Sequence, residues 1–400
     1  MINCNLNPVI IVLAYNRAQA LSRLLQSIEK ADYHISTTLV ISIEGNASND
    51  VVQTAENFES KKLNKLIIKR REKLGLRNHV IACGDLINKY DAVIILEDDL
   101  VVDRYFYRYA CDAIKFYNDD ESIAGIALYS HEYNEFSNLP FRSMRNGYAT
   151  YPMQLPCSWG QCWNKKQWLG FKKWYKGRNQ LDLSKIHGLP DQVKGWPESS
   201  WKKYFHSYII ENDLYFMYPY ESYSTNCSDA GGMHITNGSN IHQVSLATNM
   251  RPYFSQNFCP RDNKEVSYDA FMEPNGDYVY RVLGMDRGEV TIDLQMIKPI
   301  KFLKEYKYAL TLRNTPNKIS QYSLNFRPVE VNFDFQNSKL DLDNVIVLSK
   351  TIPLGTNKNL NAAILSYFIG VDVLSKQFIF SIFRDLLKKI YTKNIRSKND

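Results

Sequence analysis

The run Asp91-Ala92-Val93-Ile94-Ile95-Leu96-Glu97-Asp98-Asp99-Leu100-Val101-Val102-Asp103 places the tightest condition on any fold this chain can adopt. Its five successive apolar residues, rich in β-branched types, read as a strand covered on both faces, and three carboxylates follow at once. Negative oxygens therefore crowd the C-terminal end of a buried strand, which is costly unless a cation lies beside them. Hard oxygen ligands suit Mg²⁺ or Mn²⁺, and either ion neutralises the diphosphate of a nucleotide. The plainer alternative is a solvated acidic turn at a helix start, where carboxylates are favoured for dipole reasons alone.

What surrounds the run favours the first reading. Pro8 to Ala14 is a continuous apolar strand with Tyr15-Asn16-Arg17 as its exit, and Leu21, Leu24, Leu25 and Ile28 form one buried helical stripe that Asn16 can cap. Thr37 to Ile43 reads as a second strand ending in the polar turn Glu44-Gly45-Asn46, and Lys65 to Lys69 as a third. Leu74-Gly75-Leu76-Arg77-Asn78-His79 opens a helix to Lys89, so strand and helix alternate up to the acidic strand end. That alternation predicts an α/β fold with a mixed, mostly parallel sheet flanked by helices, and ligands of such sheets bind beyond the strands' C-terminal ends. There Tyr15, Asn16, Arg17, Glu44, Glu97, Asp98 and Asp99 would offer an aromatic wall, amide partners, cationic charge and metal ligands, a set that suits a nucleotide-sugar.

Composition bounds the rest. With 400 residues, 44% hydrophobic and 23% charged, the chain has room for one large domain and a smaller one. The net charge of +7 is spread without a dense Lys/Arg block, which argues against nucleic acid as a partner. Seven cysteines, odd in number and with no CxxC pair, suggest neither a disulfide framework nor zinc and fit a reducing compartment. The apolar run from Val9 to Ala14 is too short for a signal core or membrane span, so a cytoplasmic protein is expected. We expect residues 1–250 to form the ligand-binding domain, 251–360 a connector and β-rich accessory region, and 361–400 a basic helical tail. In the accessory region the strand candidates are Glu289 to Met296, Tyr308 to Leu312, Tyr322 to Phe335 and Val345 to Ser349. In the tail, Phe378, Phe380, Phe383, Leu387, Ile390 and Tyr391 alternate with Arg384, Lys388, Lys389 and Lys393. Such a helix suits either an anionic bilayer, as at the inner face of the plasma membrane, or docking on the protein itself.

Four segments together, Pro8 to Arg17, Ser42-Ile43-Glu44-Gly45, Leu74-Gly75-Leu76-Arg77, and Ile95 to Leu100 followed by Tyr105-Phe106, resemble the GT-A (Rossmann-like) glycosyltransferases. The nearest likeness is to bacterial family 2-like sugar transferases and to N-acetylglucosaminyltransferase I, which carry a Glu-Asp-Asp form of the DxD motif. The resemblance implies an inverting, metal-dependent transfer of a sugar from a nucleotide-sugar to a glycan or lipid-linked oligosaccharide of a bacterial surface polysaccharide. It implies that Asp99 holds Mn²⁺ or Mg²⁺, that Glu97 and Asp98 face the ribose or phosphates, and that Ala14 to Arg17, Glu44 and Arg77 contact the donor. It further places Trp159, Gly160 and Trp163 at the acceptor, the alternative being that Trp159 and Trp163, at i and i+4, are two core rings on one helical face, and brings His234, after the glycines Gly231-Gly232, toward metal or diphosphate. Where such transferases carry a basic acid near a Trp, this chain reads Ser200-Trp201, so Glu198 and then Asp191 are candidates for the base by proximity. Trp196 and Pro197 are expected to desolvate Glu198 and raise its basicity. Two alternatives stay open: a nucleotidyltransferase, although Ala14 to Arg17 lacks the Gly-rich phosphate loop expected of one, and a catalytically degenerate GT-A fold that binds glycans or acts as a scaffold.

Overall fold

The structure is a computed structural model, and it describes residues 7–178, 182–229, 241–247, 257–260, 262–335, 345–352, 354 and 361–384. The chain falls into two compact units, Met1–Phe136 with Ser143–Arg281, and Ser137–Arg142 with Val282–Asp400.

In the first unit the elements run β1 (Val9–Ala14), α1 (Ala18–Lys30), β2 (Thr37–Ile43), α2 (Asn49–Asn57), β3 (Leu63–Lys69), α3 (Gly75–Gly84) and β4 (Ala92–Glu97). They continue with β5 (Leu100–Val102), α4 (Phe106–Phe116), β6 (Ile123–Ala127), β7 (Thr150–Met153), β8 (Gln161–Asn164), α5 (Lys165–Tyr175), the single turn α6 (Asp191–Lys194), α7 (Trp201–Glu211), β9 (Tyr215–Pro219) and β10 (Ser224–Asn226). One eight-stranded sheet has the order β3-β2-β1-β4-β8-β6-β9-β7. The block β3-β2-β1-β4 is parallel throughout, as the continuous apolar runs require, since every residue of β1 and the first five of β4 are buried. Beyond β4 the sheet changes character, because β8 pairs antiparallel with β4 through Ile94 and Cys162.

Helix α1 buries Leu21, Leu24, Leu25 and Ile28 against the sheet, the stripe read from the sequence. Its cap differs: Arg17, not Asn16, stands at the N-cap, and its side chain makes no capping bond. Helix α3 ends at Gly84, five residues before Lys89, and the chain tightens there into a 3₁₀ turn from Asp85 to Asn88. A Cβ on Gly84 would stand 2.1 Å from the Trp168 ring of α5, which explains why this close approach needs glycine.

The second unit holds a four-stranded sheet, β11 (Val290–Asp293), β12 (Tyr308–Thr311), β13 (Lys318–Ser323) and β14 (Val345–Lys350), in the order β11-β12-β14-β13. The expected strand from Tyr322 to Phe335 stops at Ser323. Pro328 has no N–H for a ladder, Val329–Asp334 winds into a 3₁₀ helix, and the buried Asn332 carboxamide accepts from the Asn325 and Phe326 amides at 2.8 and 2.9 Å. Of the expected tail helix, Phe380 and Phe383 are exposed, while Leu387, Lys388, Lys389, Ile390, Tyr391 and Lys393 lie outside the described residues. No helix among the described residues is long and apolar enough to cross a membrane.

Candidate functional site

The exits of β1, β2 and β4 open into one cavity of about 480 Å³ in the first unit. Ala14, Tyr15, Asn16 and Arg17 line it from the first exit, Glu44 from the second, and Glu97, Asp98 and Asp99 from the fourth, so the convergence read from the sequence is present in space.

The acidic strand end has a cation from its own chain. Arg17 donates to Asp98 and, at 3.1 Å, to Oδ2 of Asp99. Against the desolvation cost, the charges of Asp98 and Asp99 hold this guanidinium above its ordinary pKa. Withdrawal from water, followed by the charges of Asp99 and Asp98, pushes the Glu97 carboxyl up to about 8, so it carries a proton at neutral pH. Asp98 rises to about 6 through desolvation, opposed by Arg17. A short antiparallel pair of β5 with β10 fixes the far side of the turn, and the Cys227 amide donates to the Asp99 carbonyl at 2.9 Å.

One atom is left over. Oδ1 of Asp99 is buried and accepts no hydrogen bond. A buried anionic oxygen without a donor is the feature a hard divalent cation would satisfy, so Asp99 fits a metal ligand. Among the described residues no group of three His, Cys, Asp or Glu surrounds a common point, so an ion here would draw most of its coordination from a ligand's oxygens.

Glu44 is buried, and its Oε1 accepts from the Gly45 and Leu74 amides at 2.9 and 2.8 Å. It thereby ties the β2 exit to the loop that starts α3. Its other oxygen stands 3.7 Å from His79 Nδ1, while His79 Nε2 is 2.8 Å from the Ser42 hydroxyl. Desolvation pushes His79 down to about 4, which leaves the ring neutral. Lys73 lies over the Tyr15 ring at 5.1 Å and adds a cation to the same wall.

The remaining sequence candidates are distributed unevenly. Trp159 lines the cavity. Trp163 does not: it lies on β8, fully buried among Trp168, Trp201 and Phe205, and holds that wall from behind. Gly160 sits at φ +98°, a conformation other residues rarely adopt, where a Cβ would stand 2.9 Å from the Ser224 hydroxyl. Arg77 is not among the lining residues; it lies over the Tyr204 ring at 4.8 Å and 3.6 Å from Glu198. Glu198 is 67% exposed, and bonds from Lys203 and Tyr204 hold its carboxyl below the ordinary range, so the expected desolvation is not what its surroundings provide. Asp191 is 65% exposed and paired with Lys194 at 2.8 Å. Neither acid is among the cavity's lining residues. His234 lies outside the described residues.

The sequence reading named Trp196, Ser200 and Trp201 only around a candidate base and did not single out Glu135, Lys202 or His242. Glu135, Ser158, Trp196, Ser200, Trp201, Lys202, Asn226 and His242 complete the cavity. Lys202 donates to both oxygens of Glu135, at 2.6 and 2.7 Å, and lies 5.4 Å from the Trp159 ring and 5.6 Å from that of Trp196. The position following Ser200-Trp201 was the available signal for Lys202; nothing local marked Glu135.

No family model matches the chain, and no curated protein matches it. Among solved structures it is similar to S. aureus TarS (14% identity over 54% of this chain and 60% of that one, TM-score 0.32). A mannosyltransferase, PcManGT from Pyrobaculum calidifontis, solved with GDP-Man and Mn²⁺, is similar at 13% identity over 57% of this chain and 59% of that one, with TM-score 0.36. GalNAc-T7, solved with UDP, GalNAc and Mn²⁺, is similar at 11% identity over 54% and 43%, with TM-score 0.37. The chain thus spans less than two thirds of each neighbour's length, and likenesses of this size identify neither a donor nor an acceptor.

Proposed function

We propose that the chain is a glycosyltransferase that moves a sugar from a nucleotide-sugar to a hydroxyl of a glycan or lipid-linked oligosaccharide. The observation that carries this is the one cavity lined by four acidic side chains from the exits of β2 and β4 together with the rings of Tyr15, Trp159, Trp196 and Trp201. Aromatic faces hold the apolar faces of sugar rings, and polar strand exits at the C-terminal edge of a parallel sheet are where nucleotides bind in such folds. Glu44 keeps the β2 exit against the α3 loop, which shapes the nucleotide end. Arg17 and Lys73 supply the positive charge that a diphosphate needs, and Asp99 would hold a divalent ion through Oδ1. When bound, that ion stabilises the negative charge on the departing diphosphate. We read the transfer as inverting and metal-assisted, and its product as a surface polysaccharide, in keeping with the sequence resemblance.

A thermal-shift screen with UDP-GlcNAc, UDP-glucose, UDP-galactose and GDP-mannose, each with and without Mn²⁺, tests this reading. At least one nucleotide-sugar should raise the melting temperature, and more so with Mn²⁺. If none does while simple nucleoside triphosphates do, a nucleotidyltransferase takes its place.

A further inference from the structure

We propose that Glu135 is the catalytic carboxylate that accepts the proton of the attacking hydroxyl; the assignment rests on the transferase reading above. Five acids line the cavity, Glu44, Glu97, Asp98, Asp99 and Glu135. Glu44 is committed to the Gly45 and Leu74 amides, and the triplet belongs to the β4 exit with Arg17. Glu135 alone comes from the loop beyond β6, on the wall that carries Trp159, Trp196 and Lys202. Its side chain is 11% exposed.

A glutamate so enclosed would ordinarily hold its proton and be useless as a base. Here desolvation is the largest influence, but the charge and hydrogen bonds of Lys202 together with His131, 3.6 Å away, and His206 outweigh it, and the carboxyl lies below its ordinary range, hence ionised. Lys202 takes one lone pair from each oxygen and leaves a second on each for an incoming hydroxyl. His242 connects the two sides of the site: it lines the same cavity, and its ring feels the charges of Glu135, Lys202 and Asp99 together. A sugar ring between these walls would have a carboxylate base toward one and the diphosphate toward the other. The hydroxyl proton passes to an oxygen of Glu135 as the hydroxyl oxygen bonds to the anomeric carbon. The bond from that carbon to the diphosphate oxygen breaks, and its electron pair leaves with the nucleoside diphosphate, giving inversion.

The test uses the full chain and the nucleotide-sugar giving the largest thermal shift. Binding is read by that shift and chemistry by nucleoside diphosphate release, with water as acceptor. Glu135→Gln should keep the donor shift and lose turnover by roughly 10²- to 10⁴-fold, the usual cost of removing a general base. Because this variant leaves Lys202 without its anion, Glu135→Gln is also made together with Lys202→Met, which removes the stranded charge. The double variant should melt as the wild type does and stay slow. Wild-type turnover in Glu135→Gln, or recovery of turnover in the double variant, would show the pair to be structural and overturn the assignment. A wild type that no nucleotide-sugar stabilises would overturn the transferase reading itself, and Glu135 with it.

Discussion

Arg17 answers the question that the acidic run poses. The sequence demands a cation beside Glu97, Asp98 and Asp99, and a divalent ion is the first candidate that residue chemistry suggests. The folded chain brings a guanidinium from 82 residues upstream onto two of the three carboxylates. Oδ1 of Asp99 is still left without a donor, so the internal cation and an external one are compatible. Asp99→Asn should therefore abolish the Mn²⁺-dependent part of the donor's thermal shift, while the ligand-free melting temperature changes little because Arg17 keeps Asp98. A full Mn²⁺ response in the variant would take the metal away from Asp99. Residues local to a strand exit were legible in this way. Glu135 was not, because what makes it remarkable chemically is Lys202, 67 positions away and brought to it only by the fold.

Among elements, legibility followed burial. β1 is apolar from end to end, β4 up to Glu97, and β2 from Leu39 to Ile43 apart from the buried Ser42, because both faces of that part of the sheet are covered, so period and composition agreed. The span from Tyr322 to Phe335 looked similar but contains Asn325, Pro328 and Asn332, whose side-chain bonding and missing N–H favour turn geometry. Trp159 and Trp163 have helical spacing, yet the first sits in a bend and the second on β8, since pairing with β4 decided the matter rather than local period. The β2 exit is the element whose backbone packing is tightest at the site. A Cβ on Gly45 would stand 2.1 Å from the Glu72 carbonyl carbon, a backbone atom that cannot rotate aside. Gly45→Ala should cost about 1–3 kcal/mol as an overpacked contact and weaken donor binding by shifting Glu44. Unchanged melting and unchanged donor response would mean that the α3 loop moves freely of β2.

Across the whole molecule, buried titrating groups pull stability in opposite directions with pH. Desolvation, then the Lys202 charge with Glu135 opposing it, lowers His206 to about 3; desolvation, opposed by Glu135 and aided by Lys202 and His242, lowers His131 to about 4. Below their unfolded pKa near 6.5 the unfolded chain takes up protons that these folded rings refuse, so acid removes their stabilisation. Glu97, raised in the folded state, works the other way, since its proton is bound by the fold and stability falls as pH rises toward 8. The His206 contribution is therefore read as a difference. Between about pH 7.5 and 5 the wild type should lose on the order of 2 kcal/mol relative to His206→Gln, measured by denaturant unfolding at each pH. Parallel pH profiles for the two proteins would remove His206 from the account. The reversal of strand direction where β8 meets β4 has its own consequence. Every lining residue up to Asp99 is encoded in or before the exit of β4, and every one from Glu135 onward after it. The gene thus carries the lining as two consecutive, non-interleaved blocks, so recombination at a single point near residue 100 would exchange one block for a relative's while inheriting the other whole.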